Sequence, residues 1–304
     1  MANRNDALPA ARSGMTRVAF FGLGIMGWPM AQNLLEAGFE LSVWTHSEGK
    51  AERFASEHGT TAADTPCEAA EGADAAVTMV VDSPEVEEVL LGENGAVESL
   101  SEGALVIDMS TISPSAARSL GERLSERGLL FLEAPVSGSR PKAEDGTLTI
   151  MAGGSEEAFE RARPLLDAMG EKIVHVGPQG HGQTAKVLTN TMGATHAAVL
   201  GEAVTAARRA DLDADAFLEV ASGSAGNSTV LALKGKPMFE HDFEPLFKLE
   251  HMLKDVRHSL AEAHDLGLDP PLAELVESLY SEAAEDGHGG DDFAAIVTMA
   301  EKRA

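Results

Sequence analysis

RVAFFGLGIMG, Arg17 to Gly27, decides the fold. Its first five residues form a short apolar, β-prone run that stops at Gly22, the pattern of a buried strand. GLGIMG then sets Gly22, Gly24 and Gly27 in G-x-G-x-x-G spacing, and WPMAQNLLEAG follows with a helical pattern closed by Gly38. By itself the glycine spacing is weak, but between a strand and a helix it has a mechanism. The first glycine permits a tight turn, the second lets the backbone approach a pyrophosphate, and the third allows helix and strand to pack closely. The helix start offers unpaired N–H groups and a positive dipole end to phosphates. A dinucleotide is therefore expected, held by Gly22, Leu23, Gly24, Ile25, Met26 and Gly27.

Outward from this turn the same alternation continues. LSVWT reads as a second strand and Lys50 to His58 as a polar helix. DAAVTMVV, Asp74 to Val81, is a third strand, and ALVIDMS a fourth after a helix over Pro84 to Leu91. LLFLEAPVSG, TLTIMAGG and KIVHVG add later strands. The economical architecture is an α/β Rossmann-type, doubly wound parallel sheet. After Gly180 little strand signal remains. KVLTNTMGATHAAVLGEAVTAARRADLD reads as one long helix rich in small residues, and LEHMLKDVRHSLAEAHDLG and PPLAELVESLYSEAAEDG as amphipathic helices. The expected division is a disordered extension over 1–15, a dinucleotide-binding domain over 16–179, and an all-helical substrate and oligomerisation domain over 180–304.

Composition narrows the function class. The 49 acidic against 23 basic residues give a net charge of −26. Such a surface repels nucleic acid and anionic lipid, which sets those partners aside. The acids are dispersed along the chain, so the expectation is a salt-adapted surface whose self-repulsion salt screens. The start of the chain lacks an apolar core segment and reads as no secretory signal. A single cysteine, Cys67, excludes an intramolecular disulfide, and the simplest location is the cytoplasm. The ten histidines include no HExxH or Cys/His cluster, and His175, His181 and His196 are widely spaced; no metal centre is expected.

The end of the second strand speaks to the form of the dinucleotide. An NAD site usually has an acid there for the ribose 2′-OH. Here stand Thr45, His46 and Ser47, with Lys50 and Arg53 one or two turns later. Hydroxyls, a histidine and two cations suit a 2′-phosphate, so NADP is preferred over NAD. Val81 and Asp82 end the third strand at the same edge, where the backbone borders the adenine side. Asp108, Ser110 and Thr111 end the fourth strand, in a run that also suits helix capping. Ser137 and Gly138 end another strand in a turn able to donate to a carboxylate.

The stretch GHGQTAKVLTN, Gly180 to Asn190, places Lys186 and Asn190 one turn apart on one helix face, in surroundings that read as largely buried. An ammonium there suits carbonyl reduction, which needs a hydride from a nicotinamide and a proton for the developing alkoxide. Burial lowers a lysine from its free value of about 10.4, which lets it act as base in the oxidative direction.

With these motifs in order, the chain resembles the β-hydroxyacid dehydrogenase family, whose members include 3-hydroxyisobutyrate dehydrogenase, tartronate semialdehyde reductase and glyoxylate/succinic semialdehyde reductases. The resemblance rests on Gly22–Gly27, Asp108–Thr111, Glu133–Gly138 with RPKAEDGTLTIMAGG, Gly180–Gly182 with Lys186 and Asn190, and Lys254–Asp255. It covers almost all of the chain after residue 16, and EAPVSGS-x-x-x-AEDG looks most like the glyoxylate/succinic semialdehyde reductase branch. It implies that Thr111 contacts the cofactor near its nicotinamide half, with Lys254 and Asp255 also close to the cofactor. It implies that Ser137 and Gly138 hold the substrate carboxylate, that Phe247 closes over the substrate, and that Lys186 is catalytic with Asn190 orienting substrate beside it. The departure is Thr45-His46-Ser47, where NADP-using relatives often carry Asn-Arg-Thr. A 6-phosphogluconate dehydrogenase would carry a histidine where Thr189 stands, and imine reductases usually lack the lysine. A non-catalytic nucleotide-binding module would not need Lys186, Asn190 and Ser137. The small-residue face of the long helix suggests a homodimer or homotetramer.

Overall fold

The computed structural model describes residues 14–304; the expected N-terminal extension lies outside them except for Gly14 and Met15, and Met15 is buried. The chain divides into two compact units, Met1–Lys186 and Val187–Ala304.

In the first unit, β1 (Arg17–Phe21), β2 (Glu40–Trp44), β3 (Thr61–Ala62), β4 (Ala75–Thr78), β5 (Leu105–Asp108) and β6 (Leu130–Glu133) pair in parallel in the order β3-β2-β1-β4-β5-β6. The central strands β4 and β5 are buried at every position and β1 at every position but Arg17, and side-chain alternation divides them between two cores. Val18 and Phe20 of β1 join Ala75 and Val77 of β4 and Leu105 and Ile107 of β5 on one face. Ala19, Phe21, Ala76 and Val106 face the other way. Helix α1 (Gly27–Glu36) covers the first face with Met30, Ala31 and Leu34. Helix α2 (Lys50–His58) adds Phe54, and α3 (Pro66–Ala70) covers the second face with Ala69 and Ala70. Helices α4 (Ser83–Leu91) and α5 (Pro114–Ser125) complete the second face with Val86, Val89, Leu120 and Leu124. Each fully buried Phe or Leu contributes about 1.5–3 kcal/mol.

The edge departs from the all-parallel expectation. β7 (Val136–Ser137) continues β6 after Pro135, α6 (Ser139–Glu144) turns the chain, and β8 (Leu148–Gly154) returns antiparallel to both. Helix α7 (Glu156–Met169) then leads to β9 (Gly170–Gly177), which is parallel to β8. The reversal follows from the connection. The return from β7 to β8 is short, whereas a parallel crossover needs a dozen residues or more.

Helix α8 (His181–Arg209) starts five residues earlier than the sequence suggested, because Gly182 and Gln183 already belong to its first turn. The two compact units divide inside this helix, after Lys186. The second unit also holds α9 (Ala214–Ser222), α10 (Thr229–Glu240), α11 (Leu249–Asp265), α12 (Pro271–Ala283) and α13 (Val297–Arg303), with short irregular turns over Ala284–His288 and Phe293–Ile296. Ala194, Ala197, Leu200 and Val204 of α8 share a core with Met238, Val256, Tyr280 and Ile296. The small residues of α8 do admit close neighbours: a Cβ on Gly201 would stand 3.0 Å from Val297 Cα. The buried ion pair Lys234–Asp292, at 2.8 Å, is fully used. Asp292 also accepts from the N–H groups of Leu246, Phe247 and Ala294, and the Lys234 ammonium lies 4.7 Å from the Phe293 ring centroid.

Candidate active site

The glycine turn is built as its spacing required. Gly22 has φ +98°, and a Cβ there would stand 2.2 Å from the Met79 carbonyl oxygen at the end of β4. A Cβ on Gly27 would stand 1.8 Å from the Gly22 carbonyl oxygen, so the third glycine locks helix to turn. Gly24 is different: a Cβ there meets nothing within 4 Å. That open side, next to a helix start with no side-chain cap, fits the close approach of a pyrophosphate. Leu23 is buried while Ile25 and Val81 are exposed, apolar groups available to a nucleotide. Met26 packs partly against the core.

At the end of β2, Thr45 Oγ1 accepts from the Leu23 N–H at 3.4 Å and so braces the turn. His46 is exposed, with its ring 5.4 Å from Trp44 and its Nε2 3.8 Å from Glu88. Ser47 is exposed and Lys50 half-buried at the start of α2. Arg53, expected beside Lys50, is engaged elsewhere: its Nε donates to Glu57 at 2.8 Å and its guanidinium stacks on Trp28 at 5.0 Å. Asp82 caps α4 through the Ser83 N–H at 2.7 Å.

The Asp108–Ile112 loop is pinned on all sides. The buried Asp108 carboxylate accepts from Thr78 Oγ1 at 2.7 Å and from the Ser110 N–H at 3.1 Å. Ser110 Oγ accepts from the Val80 N–H at 3.0 Å. Thr111 is half-buried in the middle of this loop, and Ser113 caps α5. At the end of β7, Ser137 is exposed and Gly138, at φ +147°, leaves no room for a Cβ against Lys142. The turn thus exposes main chain and a hydroxyl together.

Glu133 belongs to a sequence motif that implies no role for it, yet it is a central group. Its side chain is fully buried, and Oε1 accepts from the Gly182 N–H at 2.7 Å and the Gln183 N–H at 3.4 Å. Burial pushes this carboxyl up to about 8, against the opposing pull of those N–H groups and with a contribution from Asp108. Gly153 and Gly182 close around it: a Cβ on Gly153 would stand 2.2 Å from Oε1, and one on Gly182 2.6 Å from the Met151 carbonyl oxygen. Gly182 is therefore a packing glycine; the positive φ, +92°, belongs to Gly180.

Lys186 is 6% exposed, one turn beyond this anchor. Asn190 follows one further turn along the helix, and its Nδ2 donates to Asp255 at 2.5 Å. Asp255 is buried and also lies 3.0 Å from Lys254 Nζ, so this acid fixes Asn190 and Lys254 together. The pairing was not legible in sequence, since 65 residues separate its members. Phe247 packs edge-on to Phe293 and His251, and burial lowers the His251 pKa. Among the described residues, the side chains spaced to hold a metal are the exposed His264, Asp269 and Glu274, none of them singled out in the sequence. No helix among them is long and apolar enough to cross a membrane.

Residues 17–177 match the NAD binding domain of 6-phosphogluconate dehydrogenase, and residues 180–300 the domain described as NAD-binding of NADP-dependent 3-hydroxyisobutyrate dehydrogenase. The chain is 33% identical to glyoxylate/succinic semialdehyde reductase 2, chloroplastic, of Arabidopsis thaliana, over 93% of this chain and 79% of the relative. It is 36% identical to 2-hydroxy-3-oxopropionate reductase of Escherichia coli, over 94% and 97%. The crystal structure of 3-hydroxyisobutyrate dehydrogenase from Salmonella typhimurium superposes with a TM-score of 0.86 at 30% identity, covering 93% and 99%. A glycine turn open at Gly24, a buried lysine at the start of α8 and matches of this length converge: the chain belongs to the β-hydroxyacid dehydrogenase family and is an NAD(P)-dependent oxidoreductase acting on CH–OH groups.

Proposed function

We propose that the protein reduces a small carboxylate-bearing aldehyde, of the glyoxylate or succinic semialdehyde kind, or in reverse oxidises the matching hydroxy acid, such as 3-hydroxyisobutyrate. The observation that carries the reading is Lys186, a buried ammonium on a helix whose first turn is anchored at the carboxyl edge of a dinucleotide-type sheet. Bound through Gly22–Gly27, the nicotinamide supplies or accepts the hydride.

The chain's own residues do the rest. Ser137 and Gly138 offer a hydroxyl and main-chain N–H to the substrate carboxylate. Lys186 stabilises the developing alkoxide and gives it a proton, and takes that proton back in the oxidative direction. Asn190, steadied by Asp255, orients the substrate, and Phe247 covers it. Thr111 and Lys254 serve the cofactor. The preferred cofactor is NADP: no acid stands at Thr45–Ser47 to demand a free 2′-OH, and Lys50 is the cation at hand once Arg53 is committed to Glu57 and Trp28. The protein acts as a cytoplasmic homo-oligomer.

A reductase screen tests this: glyoxylate, succinic semialdehyde, tartronate semialdehyde and methylmalonate semialdehyde, each with NADPH and NADH. Turnover of one of the first two with a higher kcat/KM for NADPH is expected. No turnover of any of the four rejects the substrate class, and a preference for NADH rejects the cofactor assignment.

A further inference from the structure

We infer that Gln183 is a positioning residue that sets Lys186 against the loop carrying Thr111, by clamping the main chain on both sides of that threonine. Gln183 is fully buried in the first turn of α8. Its Nε2 donates to the Ser110 carbonyl at 2.9 Å, and its Oε1 accepts from the Ile112 N–H at 3.2 Å. Both ends of one planar amide are thus used by one loop, 73 and 71 residues away in sequence. Thr111 lies between the two contacts. The loop is itself fixed to the ends of β4 and β5 through Asp108 and Ser110. The helix is separately fixed to β6 through Glu133. Gln183 is the member that joins the two assemblies, and Lys186 follows it by three residues, one turn along the helix.

The chemistry of the contact explains why an amide stands there. The site needs a donor and an acceptor held in one plane at fixed separation. A methionine fills the volume and supplies neither contact strongly. An ionised glutamate keeps the acceptor for Ile112 but sets a charged acceptor against the Ser110 carbonyl. A protonated glutamate restores the donor. The charged groups around this position are Glu133, whose Oε1 faces the Gln183 N–H, Asp108, which holds the Ser110 N–H, Lys186 one turn along, and Arg118 of α5, which packs against Gly180. Positioning of this kind acts on rate, because a misplacement of about 1 Å costs on the order of 100-fold. It leaves the glycine turn that holds the pyrophosphate untouched, so dinucleotide affinity falls far less than kcat.

This inference rests on the reading of Lys186 as the proton-handling group, and the test keeps the two apart. Full-length wild type, Gln183→Met and Gln183→Glu are compared with NADPH and succinic semialdehyde or glyoxylate between pH 6 and 9. NADPH dissociation constants are taken from fluorescence, and backbone hydrogen exchange is read over Met109–Ser113 and over the start of α8. Gln183→Met is expected to lose roughly 100-fold in kcat with NADPH affinity within about threefold of wild type. Exchange should quicken in both segments. Gln183→Glu should approach wild-type kcat at the acid end and fall toward the Met variant as its carboxyl ionises. A Met variant with wild-type kcat overturns the clamp. If wild type turns over neither aldehyde, the reaction assigned above fails. The clamp is then decided by exchange alone: quickening in both segments supports it, and quickening confined to the loop overturns it.

Discussion

Glu133→Gln isolates one buried proton. In the folded protein burial holds the Glu133 carboxyl near 8, whereas an ordinary carboxyl titrates near 4.5. Oε1 accepts from Gly182, and Oε2 is buried with no hydrogen-bond partner. The sign follows from proton counting. Below about 4.5 both folded and unfolded chains hold the proton. Between 4.5 and 8 only the folded chain holds it, so the group's contribution to stability is lost as pH rises toward 8. The slope is about 1.4 kcal/mol per pH unit in mid-window, and the total is on the order of 5 kcal/mol at most. Glutamine keeps the shape and the acceptor for Gly182 and has nothing to titrate. Urea unfolding of wild type and Glu133→Gln at pH 6, 7 and 8 measures the difference. The variant should gain about 2 kcal/mol on wild type between pH 6 and 8. Other titrating groups are common to both proteins and cancel. Parallel stability profiles would refute the argument and mean that Glu133 is ionised in the folded state.

Three further outcomes follow from named contacts. Gly27→Ala puts a Cβ against the Gly22 carbonyl and should abolish NADPH binding measured by fluorescence, leaving the helical unit's circular dichroism in place; retained affinity would contradict the turn's role. Asp292→Ala strands the buried Lys234 and releases three N–H groups, a cost of about 3–5 kcal/mol read as a lower urea midpoint. An unchanged midpoint would mean the pair is not buried in solution. The net charge of −26 predicts a melting temperature that rises from low to molar salt; no gain would reject the salt-adapted reading.

What was legible in sequence was what local pattern dictates. Arg17–Phe21 and Lys50–His58 form the strand and helix their patterns describe. The glycine turn was readable because each glycine answers a separate steric demand. Strand direction at the sheet edge was not, since alternation looks the same in a parallel and an antiparallel strand, and β8 runs against β6. The start of α8 was misread because Gly182 weakens helix propensity while its packing against Met151 requires a glycine. Gln183, the anchoring role of Glu133 and the pairing of Asn190 with Asp255 escaped for one reason: the partners lie 49 to 73 residues apart. The one local hint was a polar Gln three residues before a helix whose surroundings read as largely buried, where an amide must find partners.

The most direct test of the central claim is the turnover of Lys186→Met beside wild type, with NADPH and whichever aldehyde the screen selects, alongside NADPH affinity. Removing a positioned general acid costs typically 10²–10⁴-fold. Lys186→Met is predicted to lose about that much in kcat while binding NADPH within a few-fold of wild type. A variant that turns over at the wild-type rate contradicts the account.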